Sequence, residues 1–355
     1  MPIRPPRLEP GDTLGIIAPA SAPPDPKNID RGVAVLERLG FRVKLAAHVR
    51  RRHGFLAGTD RERAGDLMSM FADRSVKAIL CVRGGYGTAR LLPLLDYRAI
   101  RAHAKIFVGY SDITSLHCAF LTQANLISFH GPMLNSDFKH KDMPDFTLQS
   151  FFQTLGLAEA TDGGVSRTLR AAVQHQHASI ARHTRRAASH SNRSPAAAPG
   201  GITAGYHRKT VRILRRGVAR GQLIGGNLTL LCSTIGTPWQ PRFKDRVLFL
   251  EDLSEEPYRF DRMLTQLWNC GLLQEVAGIA IGINKNCDGP KAKRMKEYRQ
   301  TLEDVLLERL LPLKIPIVAG LPFGHVPHNA TLPVGAGVTL DANAGDLILS
   351  HACVR

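Results

Sequence analysis

Ile106-Phe107-Val108-Gly109-Tyr110-Ser111-Asp112-Ile113-Thr114 is the stretch on which the reading of this chain turns. An apolar run of strand character reaches a glycine. Two residues later comes a serine, and a helix-compatible segment follows it. A sharp strand-to-helix joint of this kind lifts one hydroxyl above a sheet. The new helix then aims its free N–H groups at whatever that hydroxyl attacks. The spacing is not Gly-x-Ser-x-Gly, since Ile113 occupies the last position. Ser and Asp also suit a helix N-cap. Taken alone, the stretch leaves two readings open, a nucleophile elbow or a cap.

The flanking sequence alternates strands and helices. Thr13–Ala18 reads as a strand, and Asn28–Leu39 as a helix with Ile29, Val33, Leu36 and Leu39 on one face and Gly40 as its C-cap. Phe41–Leu45 is the next strand. Thr59 or Asp60 caps a helix running to about Ala72. Ala78–Val82 is a strand ending in Arg83-Gly84-Gly85-Tyr86-Gly87, and Thr88–Leu95 reads as helical. Lys105–Val108 precedes Ser111, Ile113–Thr122 follows it as a helix, and Leu126–Phe129 is one more strand. Such alternation predicts a parallel α/β sheet, with its site at the C-terminal strand ends.

Between Asp162 and Asp245 there is no acidic residue, while fourteen Lys and Arg side chains fall there. They account for most of the formal net charge of +17 and leave about +3 for everything else. The basic character therefore belongs to one segment. From about Val165 the helix and strand periodicity dissolves into Ala, His, Ser, Arg and Pro, and order resumes near Gly221. The expected organisation is an N-terminal domain over 1–164, a basic linker or insertion over 165–220, and a C-terminal domain over 221–355. The last contains a glycine turn entering a helix at Gly225-Gly226-Asn227, strands at Arg246–Leu250, Val276–Ile283 and Ile315–Ala319, and helices at Tyr258–Cys270 and Met295–Leu311. A hairpin at Val338–Leu340 and Leu347–Leu349 ends it.

The 355 residues are 44% apolar, enough for two cores. No stretch approaches the roughly 18–20 apolar residues that cross a bilayer. The six cysteines are scattered without a C-x-x-C pair, so neither a disulfide framework nor a thiolate zinc site is expected. These features point to a cytoplasmic protein without a membrane partner. The arginines suggest phosphate binding, but residues 165–220 hold a single aromatic, Tyr206, for base stacking, which makes nucleic acid an unfavoured partner.

Three residues share one position type, the end of a strand: Ser111, Glu251 and His325. A serine hydroxyl needs a base within hydrogen-bond reach, and the base needs a third group to fix its tautomer. Asp252, Glu255 and Glu256 are rival carboxylates, and His328 is a rival base. Pro327 argues against a helix that would aim His325 and His328 at a metal. The glycine loop is neither a Walker loop nor a dinucleotide fingerprint. With Ser111 it fits an oxyanion hole, one donor being the N–H of Asp112 and the other that of Gly85.

Several stretches resemble the LD-carboxypeptidases, the serine peptidases of the muramoyltetrapeptide carboxypeptidase and microcin-immunity group. They are Phe55-Leu56-Ala57-Gly58-Thr59-Asp60, Val82-Arg83-Gly84-Gly85-Tyr86-Gly87, Gly109-Tyr110-Ser111-Asp112, Gly131-Pro132-Met133-Leu134, Gly225-Gly226-Asn227-Leu228, Gly236-Thr237-Pro238-Trp239, Leu250-Glu251-Asp252 and Gly320-Leu321-Pro322-Phe323-Gly324-His325. They occur in family order. The resemblance implies an α/β fold with an N-terminal Rossmann-like domain bearing the serine and a smaller, β-rich C-terminal domain. It implies a Ser111-His325-Glu251 triad with no metal and no cofactor, and release of a terminal D-alanine from a muropeptide tetrapeptide in peptidoglycan recycling. It also implies a homodimer. Arg83 is the candidate receptor for the terminal carboxylate, with Gly84 and Tyr86 beside it as substrate-binding residues. Hydrolysis of a peptidyl or aminoacyl adenylate is the alternative within the family. Nucleic-acid binding through residues 165–220 is the alternative outside it.

Overall fold

The computed structural model describes residues 1–140, 143–157, 201, 210–288 and 300–355. The expected basic linker therefore lies outside the described residues over 165–200 and 202–209. The first part of the Met295–Leu311 helix, up to residue 299, lies outside them as well.

The N-terminal half is a doubly wound α/β layer. Its strands are β1 (Thr13–Ile17), β2 (Arg42–Leu45), β3 (Val76–Cys81), β4 (Ile106–Gly109) and β5 (Ser128–His130), and its helices are α1 (Lys27–Arg38), α2 (Asp60–Ala72), α3 (Tyr97–Ala102), α4 (Thr114–Ala119) and α5 (Asp145–Thr154). The strand order β2-β1-β3-β4-β5 is parallel throughout. β3 and β4 are apolar runs rather than alternating patterns because helices cover both faces, and all four residues of β4 are buried. The chain reverses its direction of winding between β1 and β3. Ligands of such sheets bind outside the strand ends near that point.

Local chemistry explains where the helices start and stop. Thr59, rather than Asp60, caps α2 through a reciprocal capping box with Glu62. The helix expected over Thr88–Leu95 is instead two 3₁₀ turns, Thr88–Arg90 and Leu92–Leu94. Pro93 lacks the N–H that a continuous helix needs. α4 is shorter than expected and passes into a π turn over Phe120–Ala124.

The second half is a seven-stranded sheet. β6 (Arg212–Arg215), β7 (Val218–Asn227), β8 (Arg246–Glu251), β9 (Gly278–Ile283) and β10 (Ile317–Gly324) are followed by β11 (Leu332–Val334), β12 (Gly337–Asp341) and β13 (Asp346–Leu349). The order is β13-β12-β7-β8-β9-β10-β6, with β7 to β10 parallel and the flanking strands antiparallel. Helices α6 (Leu228–Ser233), α7 (Pro257–Asn269) and α8 (Leu302–Leu310) bury one face through Leu231, Phe260, Leu264 and Leu306. The other face packs Leu223, Val247, Phe249 and Phe323.

Two details differ from the sequence reading. β6 and the start of β7 lie inside the stretch taken as linker, because Arg and Gly there mask short strands. Gly225 and Gly226 are not a turn but the last part of β7, at φ +130° and +140°. A Cβ on Gly225 would fall 1.9 Å from the carbonyl of Phe249, so only glycine lets β7 lie against β8 there.

The two halves are sewn together. β11 leaves the second half and pairs antiparallel with β5, closing the edge of the first sheet. Cys353 and Val354 enter the first core, and the Arg355 N–H donates to the carbonyl of Pro5 at 3.0 Å. Cys118 of α4 is buried in the second core. The Asn227 N–H at the end of β7 donates to Thr114 Oγ1 at the start of α4, at 3.0 Å.

Candidate active site

Ser111 adopts φ +66°, in the left-handed region that a residue with a Cβ avoids. β4 ends at Gly109 and the helical turn begins at Ser111, so the joint leaves no room for a relaxed linker. This strained strand-to-helix turn is the geometry of a nucleophile elbow. A Cβ on Gly84 would stand 2.9 Å from Ser111 Cβ and 3.2 Å from the Asp112 nitrogen, so the glycine loop backs directly onto the elbow.

That loop follows β3, the neighbour of β4, and is held rigidly. Gly85 and Gly87 take φ +114° and +117°. Ser21 Oγ accepts the Tyr86 N–H at 3.1 Å. The buried Arg63 guanidinium donates to the carbonyls of Gly87, at 3.0 Å, and Pro19. The Asp112 carboxylate accepts the Thr88 N–H at 2.9 Å. Asp112 thus uses its side chain to fasten the loop. Among the described residues no hydrogen bond engages the N–H of Asp112 or of Gly85.

His325 sits one residue beyond β10, and Glu251 is the last residue of β8. The strand β9 lies between them, yet His325 Nδ1 is 2.7 Å from Glu251 Oε2. The register of β10 against β9 shifts twice, between Val318 and Leu321 and between Leu321 and Gly324. These irregularities bend the strand end across β9. Gly324 makes the approach possible, since a Cβ there would meet Glu251 Oε2 at 2.9 Å.

Two of the rival carboxylates are otherwise engaged. Asp252 accepts from Asn227 Nδ2 at 2.9 Å, from the Thr229 N–H at 3.0 Å and from Thr229 Oγ1 at 2.9 Å. Glu255 pairs with Arg259. His328 is exposed, with its ring against Phe146. Glu251 is completely buried, while the His325 side chain keeps 14% of its surface. Burial alone would depress the His325 pKa. The hydrogen bond and charge of Glu251 outweigh it, helped by Asp252 and Asp137, and the net effect is a rise above 6.5.

Ser111 and His325 line one cleft of about 300 Å³, one from each half. Arg83, Gly84 and Gly85 line it from the glycine loop, and Asn227, Thr229 and Asp252 from the second half. Arg83 is half-buried, donates to the carbonyl of Ala22 at 3.4 Å, and has no carboxylate partner among the described residues. Tyr86 does not line the cleft. It stands 53% exposed, edge-on to Phe55.

Sequence reasoning passed over Tyr110, whose ring packs edge-on against His325 with centroids 5.0 Å apart. The Asp137 carboxyl lies close enough to interact with Tyr110 and His325, and burial pushes it up to about 6. Tyr110 stood in the quoted motif, but nothing in the sequence announces that Asp137 lies behind it.

Residues 14–131 match the LD-carboxypeptidase N-terminal domain, and residues 220–340 match the LD-carboxypeptidase C-terminal domain. The chain belongs to the LD-carboxypeptidase family. A probable murein peptide carboxypeptidase of Bacillus subtilis is 38% identical over 95% of this chain and 91% of its own. The crystal structure of a muramoyltetrapeptide carboxypeptidase from Oxalobacter formigenes superposes with a TM-score of 0.71 at 31% identity, covering 95% of this chain and 97% of that one. The microcin C7 self-immunity protein MccF of Escherichia coli is 29% identical over 93% of this chain and 91% of its own. A structure of MccF gives a TM-score of 0.79 at 25% identity over the whole of both chains. Membership of this family makes the LD-carboxypeptidase described here a serine carboxypeptidase. No helix among the described residues is long and apolar enough to cross a membrane.

Proposed function

We propose that this enzyme removes the terminal D-alanine from murein tetrapeptides, with Ser111 as nucleophile, His325 as base and Glu251 as the residue that orients the base. The observation that carries the reading is the bond of 2.7 Å between Glu251 and His325, in a cleft shared with a serine at φ +66°. Glu251 accepts a hydrogen bond from Nδ1–H, which leaves Nε2 of His325 free to take the proton of Ser111. Ser111 then attacks the carbonyl of the penultimate residue. Negative charge develops on that oxygen, and the N–H groups of Asp112 and Gly85 stabilise it there. The imidazolium gives its proton to the leaving D-amino acid. Water then attacks the acyl-enzyme, with His325 again as base, and releases the shortened peptide. Arg83 receives the free carboxylate that defines an exopeptidase substrate.

Incubation with muramoyl tetrapeptide tests this directly. The wild type releases D-alanine and Ser111→Ala does not. Release that persists in Ser111→Ala overturns the reading. The full-length superposition on MccF supports a second reading, in which the same groups hydrolyse a peptidyl or aminoacyl adenylate. An aminoacyl sulfamoyl adenosine then competes with substrate in the cleft, whereas it leaves a strict murein peptidase unaffected. A homodimeric state and a cytoplasmic role in peptidoglycan recycling accompany the first reading. Sedimentation and cell fractionation test them.

A further inference from the structure

The segment that carries His325 belongs by sequence to the second sheet, yet its anchors come from the first half. Helix α5 presents three hydroxyls on one face, Thr147, Ser150 and Thr154, at the three- and four-residue spacing that stacks side chains along a helix. All three bond to the backbone of Pro327–Thr331. Thr147 Oγ1 donates to the carbonyl of Pro327 at 2.6 Å and accepts the N–H of Asn329 at 2.9 Å. Ser150 Oγ accepts the N–H of Thr331 at 3.0 Å, and Thr154 Oγ1 lies 3.3 Å from the carbonyl of Thr331.

From this ladder the path to His325 is short. The buried Asn329, whose N–H rests on Thr147, uses its Oδ1 to accept the N–H of Gly324 at 3.1 Å. Gly324 is the residue pressed against Glu251 and the immediate neighbour of His325. The Ala330 N–H returns to the carbonyl of Pro322 at 2.7 Å, closing the turn. One hydroxyl, that of Thr147, therefore satisfies a donor and an acceptor on either side of His328, in a place where an unpaired backbone group would be costly.

We infer that Thr147 is a positioning residue for the reaction. It locks the His325 turn to the half of the molecule that carries Ser111, and so sets the distance between base and nucleophile. The inference rests on His325 being the base, as proposed above. A hydroxyl on α5 is needed because Ser111 and His325 stand on different sheets. The pairing of β11 with β5 and the bond from Asn227 to Thr114 tie the halves elsewhere, and Thr147 adds a tie at the turn that carries His325 itself.

The experiment compares Thr147→Val, Thr147→Ser and His325→Ala on the substrate that the wild type hydrolyses. Valine keeps the volume and removes both bonds, and serine keeps the hydroxyl. Thr147→Val lowers kcat by about 10- to 100-fold, the scale of a misplaced catalytic group, with KM within about threefold. The acid limb of its pH profile moves down, because a loosened His325 loses part of the support of Glu251. Thr147→Ser restores kcat and the limb. Wild-type kcat and an unshifted profile in folded Thr147→Val overturn the inference. If Thr147→Val does not fold, Thr147→Ala carries the same readouts with the same two bonds removed, and unchanged kcat there overturns the inference as well. Activity surviving in His325→Ala refutes the base assignment itself, a different failure.

Discussion

Ser111 and His325 each stand just beyond a strand end, and they are held in opposite ways. The elbow at Ser111 is made from nine consecutive residues and one neighbouring loop. Its distinguishing feature, φ +66°, lies in its own backbone. The turn at His325 is assembled from Glu251, Asn329 and Thr147, which are 74, 4 and 178 positions away in the chain. The half with the proposed nucleophile carries its geometry with it, while the half with the proposed base borrows its geometry from the rest of the molecule. Damage to the elbow should therefore be chemical. Damage around His325 should be both chemical and positional.

The largest effect separates chemistry from fold at the elbow. Ser111→Gly removes the proposed nucleophile and should cost about 10⁵- to 10⁶-fold in kcat. It also relieves a left-handed residue, a strain of about 1–2 kcal/mol, against about 0.5–1 kcal/mol of glycine entropy. The variant should melt slightly above the wild type. A lower melting temperature would show that the elbow depends on the side chain, and the contrast with His325 would fail.

Next comes the relay. Glu251→Gln preserves shape but offers His325 the wrong partner, and a loss of about 10⁴-fold in kcat is expected. The pH dependence makes this sharper. The folded pKa of His325 lies above 6.5, so wild-type activity rises with pH through that higher value. Stability runs the other way. A raised folded pKa favours the folded state fully below 6.5, and that contribution disappears as pH rises through the folded value. Activity and the stability contribution of His325 thus cross in the same window. In Glu251→Gln the activity limb moves to lower pH and the stability slope flattens. A wild-type limb below 6.5 would contradict the bond between His325 and Glu251.

A third test compares the glycine on each side of the cleft. Gly324→Ala forces a Cβ into a φ of +112° and to 2.9 Å from Glu251 Oε2. Destabilisation beyond about 1 kcal/mol is expected from the backbone alone, together with a loss of up to about 100-fold in kcat from the displaced His325. Gly84→Ala has no positive φ to strain, and its Cβ meets the elbow itself, at 2.9 Å from Ser111 Cβ, 3.1 Å from Ser111 Oγ and 3.2 Å from the Asp112 nitrogen. It should affect kcat more than melting. Equal melting losses in the two variants would erase the proposed asymmetry.

The same asymmetry governs what could be read from the chain. The apolar runs of β1, β3 and β4 and the elbow motif are local signals, and the parallel α/β layer followed from them. The strand-end positions of Glu251 and His325 were legible too. The crossing of β9 was not, because it depends on two register shifts and on the missing Cβ of Gly324. Nor was β11, a three-residue strand that leaves one sheet to edge the other. The hydroxyls of α5 look like ordinary helix polar residues until the turn they hold is placed against them. Tyr86 was chosen because it adjoins Gly85, but the left-handed φ at Gly85 and Gly87 turns its ring outward onto Phe55.

Arg83 gives the smallest effect and tests how much of the reaction the elbow half supplies. Its guanidinium lines the cleft beside Gly84, and its only hydrogen bond among the described residues is the contact of 3.4 Å to Ala22. A charged hydrogen bond to a carboxylate is worth about 1.5–3 kcal/mol, so Arg83→Ala should lower kcat/KM by about 10- to 100-fold on a peptide with a free C-terminal carboxylate. On the C-terminally amidated peptide the variant and the wild type should differ little, since the amide offers no charge to pair. Identical losses on both peptides would mean that Arg83 shapes the loop and binds nothing. A loss confined to the free acid would give the first half the nucleophile, the oxyanion donors and the carboxylate receptor. Only proton transfer would then remain to the second half, which explains why that half needs a single well-held turn.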